Sequence, residues 1–247
     1  MWGRTDKNFF TKFPFKSLPV LIIAFALLII DFSFVGDYIA ILNDFLWLID
    51  ITKTIISAIL IASGVYEIII FLFNFVPLSR YDKHFEELKT QIITEIKSKN
   101  QNILGEFLSF RPWMVDESFV KAKEGFPKYF YPLYYVVLSM SNNKLNITEY
   151  RLNIYEKTYH VVGYNVVPIN TIISAGIVQD RILFTSLSGE GAATVYFLEL
   201  RTTGGNIKIP LLEDEITGRH GNIKELRDEM LLKVVTTIKS IESDGMK

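Results

Sequence analysis

The sequence predicts a membrane-anchored α+β protein, in which an N-terminal transmembrane helical hairpin precedes a small antiparallel β-barrel with a C-terminal capping helix. Three observations predict this fold class: two long apolar runs near the N-terminus, alternating strand-like segments from residue 133 onward, and one amphipathic helix at the end. The boundaries that follow are 1–78 for the hairpin, 79–132 for a connector and 133–247 for the β domain.

The composition excludes several classes of protein. Of 247 residues, 49% are hydrophobic and 21% are charged, and the formal net charge is −1. Disordered chains combine low hydrophobicity with high net charge, and nucleic-acid-binding domains usually carry a basic excess. No cysteine is present, which excludes disulfides, thiolate metal sites and thiol nucleophiles. The composition therefore indicates a folded chain with no nucleic-acid partner.

Two apolar runs are long enough to cross a bilayer. The first covers about 18–35, and the second covers about 54–76 with Glu67 as its one charged residue. A helix needs about 20 residues to span the hydrocarbon core. Soluble helices are seldom apolar on every face over such a length. We therefore predict two transmembrane spans, with a pair of buried core helices as the competing interpretation.

Charges beside the runs predict the topology. The basic residues at the membrane surface are Lys12, Lys16, Arg80 and Lys83, whereas the linker between the runs is mainly acidic. Short loops rich in Lys and Arg stay in the cytoplasm. We expect a multi-pass protein of the cell inner membrane with both termini cytoplasmic. The linker, 37–51, is either an interfacial helix or an extension of the first span.

Polar residues within the spans fall on one helical stripe. Small and polar residues on one face are typical of helix–helix packing, and an ionisable group inside a membrane faces protein or water. Three interpretations stay open for Glu67: a packing or oligomer seam, a pore lining, or a tolerated residue near the inner interface. Asp31 is predicted to reach the outer surface or to pair with Lys53. The stripe consists of Ser57, Gly64, Glu67 and Asn74.

The connector begins with an amphipathic helix. Apolar residues recur at helical spacing between Arg80 and about Lys99, and Ser79 is a candidate N-cap. This helix could pack on the downstream domain, on a copy of itself or on the bilayer. Residues 100–132 are rich in aromatic residues and proline, and we expect them to be irregular.

From residue 133 the pattern becomes that of β-strands. Segments of alternating apolar and polar residues predict about six or seven antiparallel strands. Residues 203–206, with two glycines, predict a hairpin turn. Asn222 followed by Glu225 forms a capping box for a last helix, about 223–241. A single helix after such strands predicts a barrel with one end closed by the helix.

These elements resemble the bacterial pleckstrin-homology-like (PH-like) proteins that carry two N-terminal membrane helices. The resemblance lies in the strand pair LNITEYRLNIY at 145–155, the PINTI step at 168–172, the hairpin at 195–211 and the terminal helix. It implies a domain that binds a lipid, a peptide or another protein. In layout the chain is also similar to bacterial antiviral effectors in which membrane helices accompany a small β-barrel that senses a cyclic nucleotide.

One loop is a candidate ligand site. Residues 217–221 are polar, glycine-flanked and basic, and they precede the last helix, whose N-terminus favours an anion. Arg219, His220 and Lys224 are therefore candidate ligand-binding residues for a small anion, with an ordinary loop as the competing interpretation. The histidines lack metal-ligand spacing, and no catalytic motif is present, so we expect no metal, cofactor or catalytic residue.

The sequence thus predicts a membrane-anchored, non-enzymatic binding or scaffold protein whose cytoplasmic domain meets a lipid headgroup or a protein. The alternative is an oligomeric transmembrane effector or channel that ligand binding to the β domain gates. The expected partners are the bilayer, further copies of the chain through the transmembrane helices, and a protein or small anionic ligand.

Overall fold

The computed structural model describes residues 4–30, 46–186 and 189–245. The chain divides into two compact units. One is Thr11–Val76, which we call the hairpin unit. The other combines Met1–Phe10 with Pro77–Lys247, and we call it the β unit.

The hairpin unit contains two antiparallel helices, α1 (Ser17–Ile29) and α2 (Leu46–Asn74). The Lys53 ammonium group donates to the Ile30 carbonyl at one end (3.0 Å), and the Ser17 hydroxyl donates to the Glu67 carboxylate towards the other. One helical stretch of the described residues, which includes α2, is long and apolar enough to cross a membrane.

The helix bounds differ from the predicted spans. α1 is shorter than a span, and residues 31–35 of the first predicted span lie outside the described residues, as does Asp31. The described part of the linker, 46–51, belongs to α2. There the linker continues the second helix and not the first, whereas residues 37–45 of the linker lie outside the described residues. The side chains from 46 to 53 include only two charges, which one helix accommodates as an i,i+3 pair between Asp50 and Lys53 (3.2 Å).

The β unit begins with a long helix and ends with two helices. α3 is Leu78–Ser98, α4 is the short helix Glu215–Gly218, and α5 is Ile223–Gly245. Between α3 and α4 the described residues form nine strands: β1 (Asn102–Phe110), β2 (Phe119–Lys123), β3 (Phe126–Tyr131), β4 (Leu133–Ser141), β5 (Lys144–Asn153), β6 (Thr158–Pro168), β7 (Ile172–Ser186), β8 (Gly189–Thr202) and β9 (Gly205–Glu213).

The strands form three antiparallel sheets, and the predicted barrel is wrong. Their orders are β1-β4-β5-β6, β2-β3 and β7-β8-β9, and within the described chain none of them closes. β1 and β9 lie close together but share no ladder. A bulge interrupts β1 between Ile103 and Gly105, and the Thr237 hydroxyl of α5 approaches the Leu104 carbonyl there (3.5 Å). On the side of β1 that faces away from β4, a helix side chain and not a strand therefore contacts this bulge.

Residues 100–132 are not irregular as predicted, because they contain β1, β2 and β3. β1 pairs with β4 from Asn102 to Phe110. β2 and β3 form a hairpin whose turn residues, Glu124 and Gly125, have φ values of 55° and 85°. Glu-Gly is a weaker turn signal than Asn-Gly or Asp-Gly, and the aromatic residues of this stretch hid the alternation.

The core lies between the two larger sheets, and α3 covers the opposite face of the first. The buried core residues are Phe107, Val136, Leu138, Leu145, Ile147, Val167, Leu198, Leu200, Ile209, Leu211 and Leu212. On α3, Leu88, Ile92 and Ile96 are buried, and the Phe85 ring meets Tyr135 edge to face. Of the three packing partners considered for this helix, the structure shows the downstream domain.

A short segment before α1, which ends at Phe10, belongs to the β unit. A 3₁₀ turn, Asp6–Phe10, lies against α3 and the β5–β6 connection. The Asp6 carboxylate accepts hydrogen bonds from the backbone N–H groups of Ile154 (3.0 Å) and Tyr155 (2.6 Å). The Phe9 ring packs edge to face on Tyr81, with 5.2 Å between the centroids. The chain thus starts in the β unit, forms the hairpin unit and returns.

Of two local predictions near the C-terminus, the hairpin turn is confirmed and the capping box is confirmed in part. β8 and β9 form a hairpin in which Thr202 pairs with Gly205, and Gly205 has a φ of 132°, which glycine accommodates readily. At the start of α5 the Glu225 N–H donates to the Asn222 side chain (3.4 Å), which is one half of the predicted capping box, whereas the Asn222 N–H donates to the Gly125 carbonyl and not to the Glu225 side chain.

Candidate functional site

A cavity of about 580 Å³ lies in the β unit between β1, the β2–β3 hairpin and α5. Four consecutive residues of β1, 107–110, line it. Successive side chains of a strand point to opposite faces of its sheet. Four consecutive lining residues therefore indicate that the cavity follows the edge of β1, on the side away from β4.

The walls of the cavity are mainly apolar, and its charges balance. Its charged lining residues are three lysines and three glutamates: Lys123, Lys128, Lys233, Glu124, Glu225 and Glu229. Its apolar lining residues are Phe107, Leu108, Phe110, Phe126, Pro127, Phe130, Leu133, Leu212, Leu226 and Met230. Small-molecule sites have similar volumes and similar apolar walls with a few polar groups. The cavity thus suits an apolar group without net charge.

Ion pairs hold part of the charged rim. The Lys128 ammonium lies 3.1 Å from the Asp82 carboxylate on α3, and this hydrogen bond raises the pKa of Lys128. Lys233 pairs with Glu229 one turn earlier on α5 (2.8 Å). Charged side chains thus form the rim of the cavity, while its interior is apolar.

Two walls of the cavity, α5 and the β2–β3 hairpin, contact each other at one end. The Asn222 N–H, at the start of α5, donates to the Gly125 carbonyl in the turn of the β2–β3 hairpin (3.0 Å). Gly221 has a φ of 154°, and a Cβ at this position would overlap the Gly125 backbone. A glycine is therefore required for α5 and the hairpin to meet.

Ser109 supplies a polar group among the apolar lining. Its hydroxyl oxygen accepts a hydrogen bond from the Arg111 Nε–H (3.0 Å). Arg111 in turn pairs with Glu149, and its guanidinium group lies 4.6 Å from the centroid of the Tyr134 ring. Because Arg111 donates to the hydroxyl oxygen, the hydroxyl hydrogen is available to an acceptor.

The predicted ligand-binding residues lie outside this cavity. Arg219, His220 and Lys224 are exposed, and none of them lines it. The helix that precedes them, α4, has its first N–H groups occupied by the chain itself, because the Glu213 carboxylate accepts from Glu215 (2.9 Å) and from the next residue. Burial raises the pKa of Glu213. The anion site on this loop stays a prediction.

The predicted stripe of α2 partly contacts α1 of the same chain. A Cβ on Gly64 would lie 2.8 Å from the Leu21 side chain, and Ser57 is fully buried. Glu67 accepts from Ser17, the first residue of α1, so it lies near the end of the hairpin and not at its middle. Asn74 is the last residue of α2. The contacts of Gly64 and Glu67 with α1 are those of a helix–helix packing seam within one chain, and the other interpretations of Glu67 stay predictions.

The basic residues predicted for the membrane surface are all exposed. Lys12 and Lys16 precede α1, whereas Arg80 and Lys83 lie in the first turns of α3. The Arg80 Nε–H donates to the Nε2 atom of His84 (3.4 Å). Exposure leaves their charges available to a polar surface.

Sequence reasoning missed the cavity residues, because they come from four separate stretches of the chain. The one local signal was the aromatic-rich segment that contains Phe107, Phe110, Phe126 and Phe130, together with the alternation on both sides of Glu124 and Gly125. The contribution of α5 depends on tertiary packing and leaves no local signal.

Compared with protein-family models, with curated proteins and with solved structures, the chain shows no match.

Proposed function

We propose that the protein is a membrane-anchored binding protein. The hairpin unit anchors it, and the cavity beside β1 receives the apolar part of a ligand. The observation that carries this proposal is the cavity itself, which combines apolar walls, a balanced charged rim and a volume of about 580 Å³.

The exposed surface of α1 and α2 supports the anchor. Large apolar side chains point away from the hairpin on several faces, including Ile22 (68% exposed) and Ile29 (82% exposed) on α1 and Phe73 on α2. Exposing such surface to water costs about 25 cal/mol per Å². A bilayer removes that cost, and contiguous apolar surface of this kind is typical of membrane or protein contact.

The path of the chain supports an inner-membrane hairpin. The chain leaves the β unit at Phe10 and returns to it at Pro77, so both ends of the hairpin unit connect to one body. A segment that begins and ends on the same side crosses a bilayer an even number of times. Basic flanks place that side in the cytoplasm. We therefore propose two spans with both termini cytoplasmic.

A relationship to PH-like domains stays part of the proposal. An antiparallel β domain followed by one C-terminal helix supports it. The free edge between β1 and β9 differs from the closed barrel expected of that family.

The effector alternative has less support. It needs a polar stripe available to other copies of the chain, whereas Gly64 and Glu67 contact α1. A homo-oligomer formed through other faces of the transmembrane helices stays a prediction.

The proposed function is tested with the full chain in phosphatidylcholine nanodiscs, with methionine methyl groups labelled by ¹³C. The uncharged probe is 1-octanol. Met230 lines the cavity, whereas Met114 lies outside it. We expect the Met230 methyl resonance to shift saturably with octanol and the Met114 resonance to stay in place.

Two variants of α5 provide the matched comparison. Leu226→Trp fills the cavity and should abolish the Met230 shift, whereas Leu232→Trp, at a side chain that is 68% exposed, should retain it. A Met230 resonance that ignores octanol, or a shift that survives Leu226→Trp, would contradict ligand binding in this cavity.

A further inference from the structure

We propose that the ligand of this cavity is a short extended peptide that adds a strand to the free edge of β1. This inference rests on the proposed function and names the chemical class of the ligand. Three features of the described residues support it: the free strand edge, the length of that edge and the chemistry of the walls.

The first feature is the unpaired edge. β1 is the terminal strand of its sheet, and in the part of the chain that the structure describes it has a ladder only with β4. A strand at a sheet edge presents a row of N–H and C=O groups without strand partners. An extended peptide pairs with such a row through its own backbone. A lipid chain or other apolar amphiphile would leave these groups without that pairing.

The second feature is the regular backbone of β1 beside the cavity. The ladder between β1 and β4 runs without a register shift from Gly105 to Phe110, and the bulge lies before it. Four residues of this regular part, 107–110, line the cavity. At about 3.4 Å per residue they offer an edge of about 10 Å, enough for about four residues of an added strand.

The third feature is the chemistry on both sides of the edge. Leu226 and Met230 approach from α5, and Phe130 approaches from β3. A strand laid along β1 would present alternate side chains to such walls. Because the six charged lining residues cancel, the central part of the peptide should be apolar and without net charge. Recognition through backbone pairing and apolar pockets is the general pattern of strand addition.

The test is a selection from a library of random 12-residue peptides with the full chain in nanodiscs, after counter-selection on Leu226→Trp. We expect enriched peptides with apolar residues at alternate positions. Their dissociation constants should rise at least tenfold with Leu226→Trp or Met230→Trp and stay within twofold with Leu232→Trp. Two cavity variants are compared so that a folding defect in one of them does not decide the result.

The best peptide is then methylated at each backbone nitrogen in turn. Alternate N–H groups of a strand face the same neighbour. N-methylation should therefore weaken binding at least tenfold at every second central position and less than twofold at those between.

Three results would overturn the inference: no enrichment over Leu226→Trp, peptides that bind the cavity variants unchanged, or an N-methyl scan without alternation. If octanol still shifts Met230 in those cases, the cavity binds ligands and only the peptide class is wrong. If octanol does not shift the Met230 resonance either, the proposed function is contradicted as well.

Discussion

Asp6 is a carboxyl group buried within the β unit, and its partners are backbone groups. It accepts from the N–H groups of Ile154 and Tyr155, and its side chain is almost fully covered. Burial raises the pKa of Asp6 to about 6, against the opposing effect of these hydrogen bonds. Glu156 adds to the increase, and Arg151 reduces it.

The raised pKa predicts a pH-dependent stability. Below about pH 4 the carboxyl group is protonated in both states, and between about 4 and 6 only the native state holds its proton. The contribution of Asp6 should therefore be lost as pH rises through this window, by about 1.4 kcal/mol per pH unit at its steepest. The measurement is the free energy of unfolding in detergent micelles for the wild type and Asp6→Asn from pH 4 to 8.

The free energy of unfolding of the wild type minus that of Asp6→Asn should fall from pH 4 to 6 and become constant above about pH 7. Asp116→Asn, at an exposed carboxylate, is the control and should follow the wild type. If the free energies of unfolding of Asp6→Asn and the wild type changed in parallel with pH, Asp6 would not be the group that causes the pH dependence.

Single residues of this kind could not be predicted from the sequence. Asp6 and Ile154 are separated by 148 positions, and the hydrogen bond between them depends on the whole β unit. Asn222 and Glu225 could be predicted, because their interaction spans one helical turn.

At the scale of elements, α3 shows what local periodicity predicts well. The spacing of its apolar residues predicted the helix, and Leu88, Ile92 and Ile96 are buried as that spacing requires. The helix begins at Leu78 with Pro77 at the N-cap position, so Ser79 lies inside the helix and its prediction as the N-cap was wrong.

Truncation of a buried residue of α3 should destabilise the β unit. Ile92 is fully buried, so Ile92→Ala should lower the free energy of unfolding by about 2–5 kcal/mol through lost contacts and a cavity. Thr94→Ala changes an exposed residue of the same helix and should stay within about 0.5 kcal/mol. Chemical denaturation in micelles measures both, and equal losses would show that α3 is not packed as described.

The barrel failed as a prediction for a reason that belongs to this scale. Strand alternation identifies strands but not which edges meet. Closure would require β1 and β9 to pair, although 95 or more positions separate Asn102–Phe110 from Gly205–Glu213 along the chain. The free edge that results is also the edge beside the cavity, so the failed prediction and the missed site have the same origin.

At the scale of the whole molecule, the division into a hairpin unit and a β unit predicts which segments share a side of the membrane. The chain has no cysteine, so a single introduced cysteine reports on its own position. Thr5→Cys and Asn206→Cys lie in the β unit, and Trp47→Cys lies near the start of α2. A membrane-impermeant maleimide should label the first two from the same side and the third from the other.

Labelling is measured in sealed vesicles of both orientations, with detergent-permeabilised vesicles as the control for reactivity. Labelling of Thr5→Cys and Asn206→Cys from opposite sides would contradict the paired crossings. Labelling of all three from one side would show that the hairpin does not span the bilayer.

The N-terminal 3₁₀ turn also sets an order of events during synthesis. Asp6 leaves the ribosome first, but its partner Ile154 follows 148 residues later. At about 5–20 residues per second, this delay lasts roughly 7–30 s. Both apolar helices emerge within that interval, before the strands that hold the N-terminus are complete. The 3₁₀ turn Asp6–Phe10 can therefore dock on the β unit only after the hairpin helices have been made, so its docking is a late step of folding.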